Sequence, residues 1–353
     1  MNSFSKILLE WHKPIQRKLP WKQSNDAYKI WLSEIILQQT RVEQGIPYYE
    51  AFVLAFPTIQ HLANASLDDV LKRWEGLGYY SRARNLHHAA QQIVQEYNGI
   101  FPNEYAAILK LKGVGKYTAA AIASFAFNLP HAVVDGNVFR FLSRLHGIHT
   151  PIDTSIGKNI FDELAHQFLD GKNAGKHNQA IMDFGALICK PQRPNCSVCP
   201  FSSNCKALQE NTIQLLPIKR NKLLKKNRFF NYYVIYSKQY IYIHQRTKKD
   251  IWKGLYEFPM EESATFEIDY FRINSSFLTH QFNLQKSNSH TYAKTYQQTL
   301  SHQKIHATFY EIRLNSIASL NKSYLKININ ELKRYAFPKI IRSYLEDRLN
   351  YLS

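Results

Sequence analysis

Cysteine is scarce in this chain, and acidic residues are outnumbered. The 353 residues include four cysteines, all of them between Cys189 and Cys205. A disulfide framework spreads its cysteines to staple distant segments, so this confinement argues against one. Four thiols crowded into one stretch read instead as a metal site. Asp and Glu number 27 against 45 Lys and Arg, giving a formal net charge of +18. Such an excess points to a polyanionic partner, nucleic acid first and an anionic membrane surface second. No apolar run reaches the roughly 18 residues that a membrane-spanning helix needs. The opening MNSFSKILLEWHKP lacks the apolar core of a secretory signal, so an intracellular protein is expected. Internal repeats and low-complexity tracts are also lacking.

What is present divides the chain in two. A length of 353 residues exceeds one ordinary core, and an apolar share of 45% lets each half bury its own. From residue 4 to 205 the pattern is helical, as in Trp31, Ile35 and Ile36, or Leu86, Ala89, Ala90 and Ile93. Gly and Pro punctuate it into short helices. Six of the ten residues from Lys219 to Arg228 are basic, which suits a connector, either solvated or tracking phosphates. Beyond Phe229, YYVIYSKQYIYIHQR reads as two strands turning at Ser237–Lys238–Gln239, HATFYEIRL alternates similarly, and the tail returns to helix. The expected organisation is an all-α domain over residues 1–210 carrying the cysteine loop, a basic linker over 211–228, and an α+β domain over 229–353.

Three features carry chemistry. The cysteines follow the spacing Cys189-x6-Cys196-x2-Cys199-x5-Cys205. Four thiolates on uneven short loops suit the corners of a 4Fe–4S cubane. A zinc ion is the alternative, although zinc ribbons use two C-x2-C knuckles and only one such pair occurs here. The second feature is LKGVGKYTAAAIASFAF, a helix, a turn through Gly113 and Gly115, and an Ala-rich helix. Its glycines permit positive φ and close approach, and N–H groups at the second helix start can grip a phosphate; a plain helical corner is the alternative. The third is a pair of carboxylates. Glu34 lies in the apolar helix IWLSEIILQQT with Gln38 one turn on, and Gln39 lies beside Gln38. Facing solvent it is unremarkable; in an apolar pocket its pKa rises and it serves as a general acid. Asp135 precedes Gly136 and Asn137 where the next helix starts, and can cap that helix while facing a cleft.

Hairpin, Asp135 and cysteine spacing, in that order, resemble the endonuclease III-like superfamily of DNA glycosylases over about residues 4–210. Within it the chain is similar to the MutY-type adenine glycosylases. The similarity runs through Leu19–Val42, Trp74–Leu86 (WEGLGYYSRARNL) and His177–Cys189 (HNQAIMDFGALIC). It continues in WKGLYEFP (Trp252–Pro259) and Leu300–His302, which resemble the Nudix-like domain this family places over an oxidised guanine. The resemblance implies a helix–hairpin–helix glycosylase domain followed by a smaller Nudix-like α+β domain, and one 4Fe–4S cluster on Cys189, Cys196, Cys199 and Cys205. It implies base excision repair of duplex DNA carrying adenine opposite 8-oxoguanine or guanine, by a monomer with no membrane association.

Residue by residue, the resemblance makes Glu34 the acid that protonates adenine N7. Asp135 becomes the anion that stabilises an oxocarbenium-like sugar, in parallel with glycoside hydrolysis. At position 117 bifunctional relatives carry a Lys that forms a Schiff base; Tyr117 stands here. Lys116 is out of register by about 100° of helix rotation, so a monofunctional hydrolase is expected. Gln39 and Tyr79 match the residues that fill and wedge the stack once a base is flipped. Trp21 and Gln179 match the adenine pocket, with Lys22 where relatives often have Arg, and Gln38, on the face of Glu34, is expected to contact substrate or DNA. Arg82 and Arg84 are expected to bind phosphate, as is the hairpin of Gly113 and Gly115. Ser301 and His302 match the pair that reads oxidised guanine, with Leu300 where the family has Phe. MEESATFEIDYF lacks the Glu-rich REx2EExG helix of Nudix hydrolases, so the second domain is expected to read rather than hydrolyse. Two alternatives remain open: a bifunctional pyrimidine-lesion lyase of the same fold, and a non-catalytic iron–sulfur nucleic-acid-binding protein.

Overall fold

In the computed structural model, residues 3–15, 17–220, 225–265, 290–313 and 323–349 are described. The chain divides into two compact units, Met1–Asn64 with Asn85–Lys222, and Ala65–Arg84 with Leu223–Ser353. The segment from 65 to 84 therefore groups with the sheet rather than with the helical residues on either side of it in sequence. The expected domain boundaries kept it with the helices.

The chain begins with α1 (Ser3–His12), α2 (Ala27–Leu37), α3 (Val42–Ala55), α4 (Ile59–Asn64), α5 (Leu67–Arg73) and α6 (Ser81–Glu96). It continues with α7 (Tyr105–Lys110), α8 (Lys116–Phe127), α9 (Gly136–His146), α10 (Ser155–Phe168), α11 (Ala174–Leu187) and α12 (Lys206–Gln209). None of the described helices is long and apolar enough to cross a membrane.

α2 is apolar on nearly every side, and residues from Ile30 to Ile36 are buried. Asp26 starts it by accepting the amides of Tyr28 and Lys29. α8 is Ala-rich, which lets α11 approach so closely that a Cβ on Gly175 would lie 2.6 Å from the Ser124 carbonyl oxygen. Beneath the cysteine loop lies an aromatic core. Phe4 and Phe201 stand 5.0 Å apart and Phe141 and Phe184 4.5 Å apart, with Cys189, Cys199 and Cys205 packed against this core. Each fully buried side chain of this size contributes roughly 1.5–3 kcal/mol.

The second unit is built on β1 (Lys226–Ser237), β2 (Tyr240–Gln245), β3 (Tyr256–Glu257), β4 (Met260–Ser263), β5 (His290–Thr299), β6 (Gln303–Arg313) and β7 (Leu325–Asn328), followed by α13 (Lys339–Leu349). The order is β3-β2-β1-β6-β5, with β4 pairing β1 and β7 pairing β2. β1 and β2 form the expected hairpin, with Ser237 opposite Tyr240 and Lys238 in the left-handed region. β1 begins at Lys226, inside the stretch expected to be linker, because Lys226, Asn227 and Arg228 pair with Gln303, Lys304 and Ile305 of parallel β6.

β6 does not alternate as a half-exposed strand would. It is buried from Ala307 to Ile312, since β1 and β5 flank it and α13 covers one face, where Phe309 stacks on Tyr344 at 4.3 Å. Residues 266–271, part of the stretch without the Nudix glutamates, lie outside the described residues, as does Leu314.

Candidate active site

Glu34 is 8% exposed. Its Oε2 accepts the Tyr117 hydroxyl of α8 at 2.9 Å. Burial pushes the Glu34 carboxyl up to about 7, the Tyr117 hydrogen bond opposes this, and the negative charge of Asp135 adds to it. Burial, with Glu34 and Asp135 nearby, also holds the Tyr117 hydroxyl well above its usual range, so it stays protonated and donates.

Asp135 caps α9, as its position suggested. Oδ1 accepts the amides of Asn137 at 2.9 Å and Val138 at 2.8 Å, and Oδ2 accepts Asn137 Nδ2 at 2.8 Å. Burial raises its pKa, opposed by these bonds and by Arg140. The two carboxylates thus have different surroundings, one held by a single hydroxyl and the other by three N–H groups. Behind Asp135, Arg140 donates from Nη2 to Asn137 Oδ1 at 2.9 Å and from Nε to the Cys189 carbonyl at 2.7 Å. Asp135, Asn137, Arg140 and Cys189 form one hydrogen-bonded line. It depends on Gly185, where a Cβ would lie 2.7 Å from the Asn137 backbone oxygen.

A cavity of about 1090 Å³ opens over these groups. Glu34, Asp135, Tyr117, Trp21, Lys22, Gln38, Gln39 and Gln179 all line it, which brings the expected catalytic and base-contact residues of this unit together. Trp21 is fixed edge-on to Tyr49 at 5.3 Å. Gln38 donates to the Thr118 hydroxyl at 3.3 Å. Gln39 is exposed with φ of 56°, a conformation costly for a residue with a Cβ and concentrated at functional sites. The hairpin has its turn, but its glycines differ. Gly113 has φ of 81° and lies against Asn85, whereas Gly115 is extended (φ −96°, ψ 176°) and leaves open space at the start of α8. α7 stops at Lys110, since Leu111 is already extended.

The cysteines follow α11, the last three on and around two short 3-10 turns, Cys196–Val198 and Ser202–Asn204. They are free thiols, and all four line one small apolar cavity with Phe141, Arg144, Phe184 and Phe201. Arg144 donates to the Cys189 sulfur at 3.6 Å and to the carbonyls of Lys190 and Pro191. Among the described residues no three Cys, His, Asp or Glu side chains converge on a single-ion site.

In the second unit, Tyr79 is exposed with φ of 47°, between Gly78 (φ 74°) and buried Tyr80. Its hydroxyl hydrogen-bonds the Ser301 hydroxyl, and His302 beside it is exposed. Arg82 departs from its expected phosphate role. It is 8% exposed, donates to the carbonyls of Leu77 and Gly78, and lies over the rings of Trp74 and Tyr79. The tight Gly76–Tyr80 turn directs those carbonyls at it, so it braces the loop from below. Arg84 likewise donates inward, to the Lys253 carbonyl at 2.6 Å.

A family described as "HhH-GPD superfamily base excision DNA repair protein" matches residues 32–166, and one described as "NUDIX domain" matches residues 231–347. The chain is 36% identical over 340 residues to the adenine DNA glycosylase of Buchnera aphidicola subsp. Baizongia pistaciae (strain Bp), covering 95% of this chain and 93% of that protein. The chain belongs to the adenine DNA glycosylase family. It is a hydrolase of N-glycosyl bonds acting in base excision repair. It is also 43% identical over 219 residues to the adenine DNA glycosylase of Homo sapiens, covering 59% of this chain and 40% of that one. Among solved structures, a thermostable thymine-DNA glycosylase aligns with a TM-score of 0.55 at 29% identity, over 59% of this chain and 95% of that chain.

One group at the cavity of this adenine DNA glycosylase escaped the sequence reading. Asp183, its side chain 1% exposed, gathers Arg17 at 2.8 Å, Lys22 at 2.8 Å, His12 at 3.0 Å and Gln179 at 3.2 Å. These bonds hold its carboxyl well below the usual range against the effect of burial. Lys22 and Gln179 are therefore fixed through Asp183. A lone Asp in the apolar run IMDFGAL, one turn after Gln179, was the available signal.

Proposed function

We propose that this enzyme removes adenine mispaired with 8-oxoguanine, or with guanine, from duplex DNA by hydrolysis alone. The observation that carries the reading is Glu34, a buried carboxyl with a pKa near neutrality, beside a second carboxylate in a cavity large enough for a flipped nucleotide. Glu34 in its acid form donates its proton to N7 of adenine. The C1′–N9 bond breaks, its electron pair leaves with the base, and neutral adenine departs. Asp135, its carboxyl group bonded by three N–H donors, stabilises the positive charge left on the sugar. Water adds to C1′ and gives its proton to the Glu34 carboxylate, which restores the acid and leaves an abasic site. Tyr117 orients Glu34 and offers no amine for imine formation, so the backbone is left intact.

Trp21 and Gln179 contact the adenine. Gln39 and Tyr79 enter the stack, their left-handed backbones holding the side chains out at turns, and Ser301 with His302 reads the oxidised guanine. Leu300 gives that loop a smaller apolar contact than Phe would. The hairpin around Gly113 and Gly115 takes a phosphate on the open start of α8. Cys189, Cys196, Cys199 and Cys205 suit one 4Fe–4S cluster: four free thiols around a single apolar cavity, with Arg144 and Arg140 beside them to balance thiolate charge. The cluster supplies a covalent brace for this loop when bound. The enzyme acts as an intracellular, nucleoid-associated monomer without membrane partners.

The test is incubation with a duplex carrying adenine opposite 8-oxoguanine, followed by alkali or no alkali. Strand breaks seen only after alkali are expected. Direct nicking that borohydride traps would establish a lyase instead, and binding without product would establish a non-catalytic reader.

A further inference from the structure

The loop that carries Tyr79 is tied to the sheet unit by side chains with no part in the chemistry above. In α5, Asp68 accepts Gln245 Nε2 at 2.9 Å and the Tyr256 hydroxyl at 2.8 Å. Lys72 donates to the Tyr335 carbonyl at 2.9 Å and to Glu75 at 2.7 Å. Glu75, its side chain 9% exposed, accepts the Phe337 amide at 2.8 Å on Oε1, while Arg342 lies 3.7 Å from Oε2. Gly254 of WKGLYEFP has φ of 86° and sits so close to α5 that a Cβ there would lie 2.9 Å from Leu71 Cδ1. Glu75 immediately precedes Gly76, the first of the two positive-φ glycines that shape the Tyr79 turn. A charge this well enclosed, bonded to a backbone amide of the other segment, fixes position more tightly than an exposed ion pair can.

We infer that Glu75 is a positioning residue that holds the Tyr79 loop in register with Ser301, and that the preference for 8-oxoguanine over guanine opposite the adenine depends on it. This rests on the reading of Tyr79 and Ser301 as contacts to the opposing guanine. A Tyr79 hydroxyl held against Ser301 presents one combined surface to the lesion. Once the loop is released, the two contacts must be ordered separately on each encounter.

Single-turnover excision by the cluster-loaded full chain, on adenine opposite 8-oxoguanine and opposite guanine, tests it. Glu75→Ala is expected to reduce the preference about tenfold, the loss of one hydrogen bond to a charged group. The guanine-opposed rate is expected to stay within about twofold of the parent, which a general folding defect would not allow. Glu75→Gln, which keeps an acceptor for the Phe337 amide, is expected to recover part of the preference and serves where the alanine variant folds poorly. An unchanged preference in both Glu75 variants overturns the inference while leaving the lesion reading intact. A parent enzyme with no preference overturns that reading and this inference together.

Discussion

Among the described residues, three buried glutamates each accept a tyrosine hydroxyl, one in the helical unit and two in the sheet unit. Glu34 meets Tyr117 at 2.9 Å, Glu257 meets Tyr232 at 3.2 Å and Glu311 meets Tyr344 at 2.9 Å. In the sheet unit arginine completes the arrangement. Arg246 lies 2.6 Å from Glu257 and Arg348 lies 2.9 Å from Glu311. Among the described residues Glu34 has no ion pair; its charged neighbour is Asp135, of like sign. The same residue pair is completed by a guanidinium in the sheet unit, whereas at Glu34 burial and a like charge push the carboxyl up to about 7.

The comparison breaks most severely at Glu34. Glu34→Gln removes the proton donor while keeping shape, and single-turnover excision is expected to fall by about 10²–10⁴, the range for one general acid, with DNA binding retained. Glu257→Gln is expected to act on stability instead. It leaves the Arg246 charge poorly compensated and costs the sheet unit about 3–5 kcal/mol, read as an earlier urea transition of that unit, with excision per folded molecule unchanged. If Glu257→Gln abolished chemistry, the division between structural and reactive carboxylates would be wrong. Tyr117→Phe is the smallest and most informative change. The Tyr117 hydroxyl donates to the charged form of Glu34 and so lowers its pKa against burial. Its removal raises that pKa, and the Glu34 acid should persist roughly one pH unit higher, the equivalent of a hydrogen bond worth about 1.5 kcal/mol.

How much of this was legible beforehand depended on whether the signal was local. The helical run through Glu34, the Asp135 cap, the cysteine spacing and the β1–β2 hairpin all lie in short stretches, where periodicity and turn chemistry speak directly. The assignment of residues 65–84 to the sheet unit does not. It rests on bonds such as Glu75 to the Phe337 amide, 262 residues apart in sequence. Arg82 read as a phosphate ligand because its charge is visible in the sequence and the carbonyls that capture it are not. Asp183 was hidden for the opposite reason: its partners arrive from α11 itself and from residues 12 to 22, and only the fold brings them to one carboxylate.

The pH dependence of single-turnover adenine excision, measured for the parent enzyme and for Tyr117→Phe, tests the central claim most directly. The parent rate should decline as pH rises through about 7, where Glu34 loses its proton, and in Tyr117→Phe the decline should move to higher pH. A rate that stays level through that range, or a decline that moves to lower pH in Tyr117→Phe, would contradict Glu34 as the acid that releases the base.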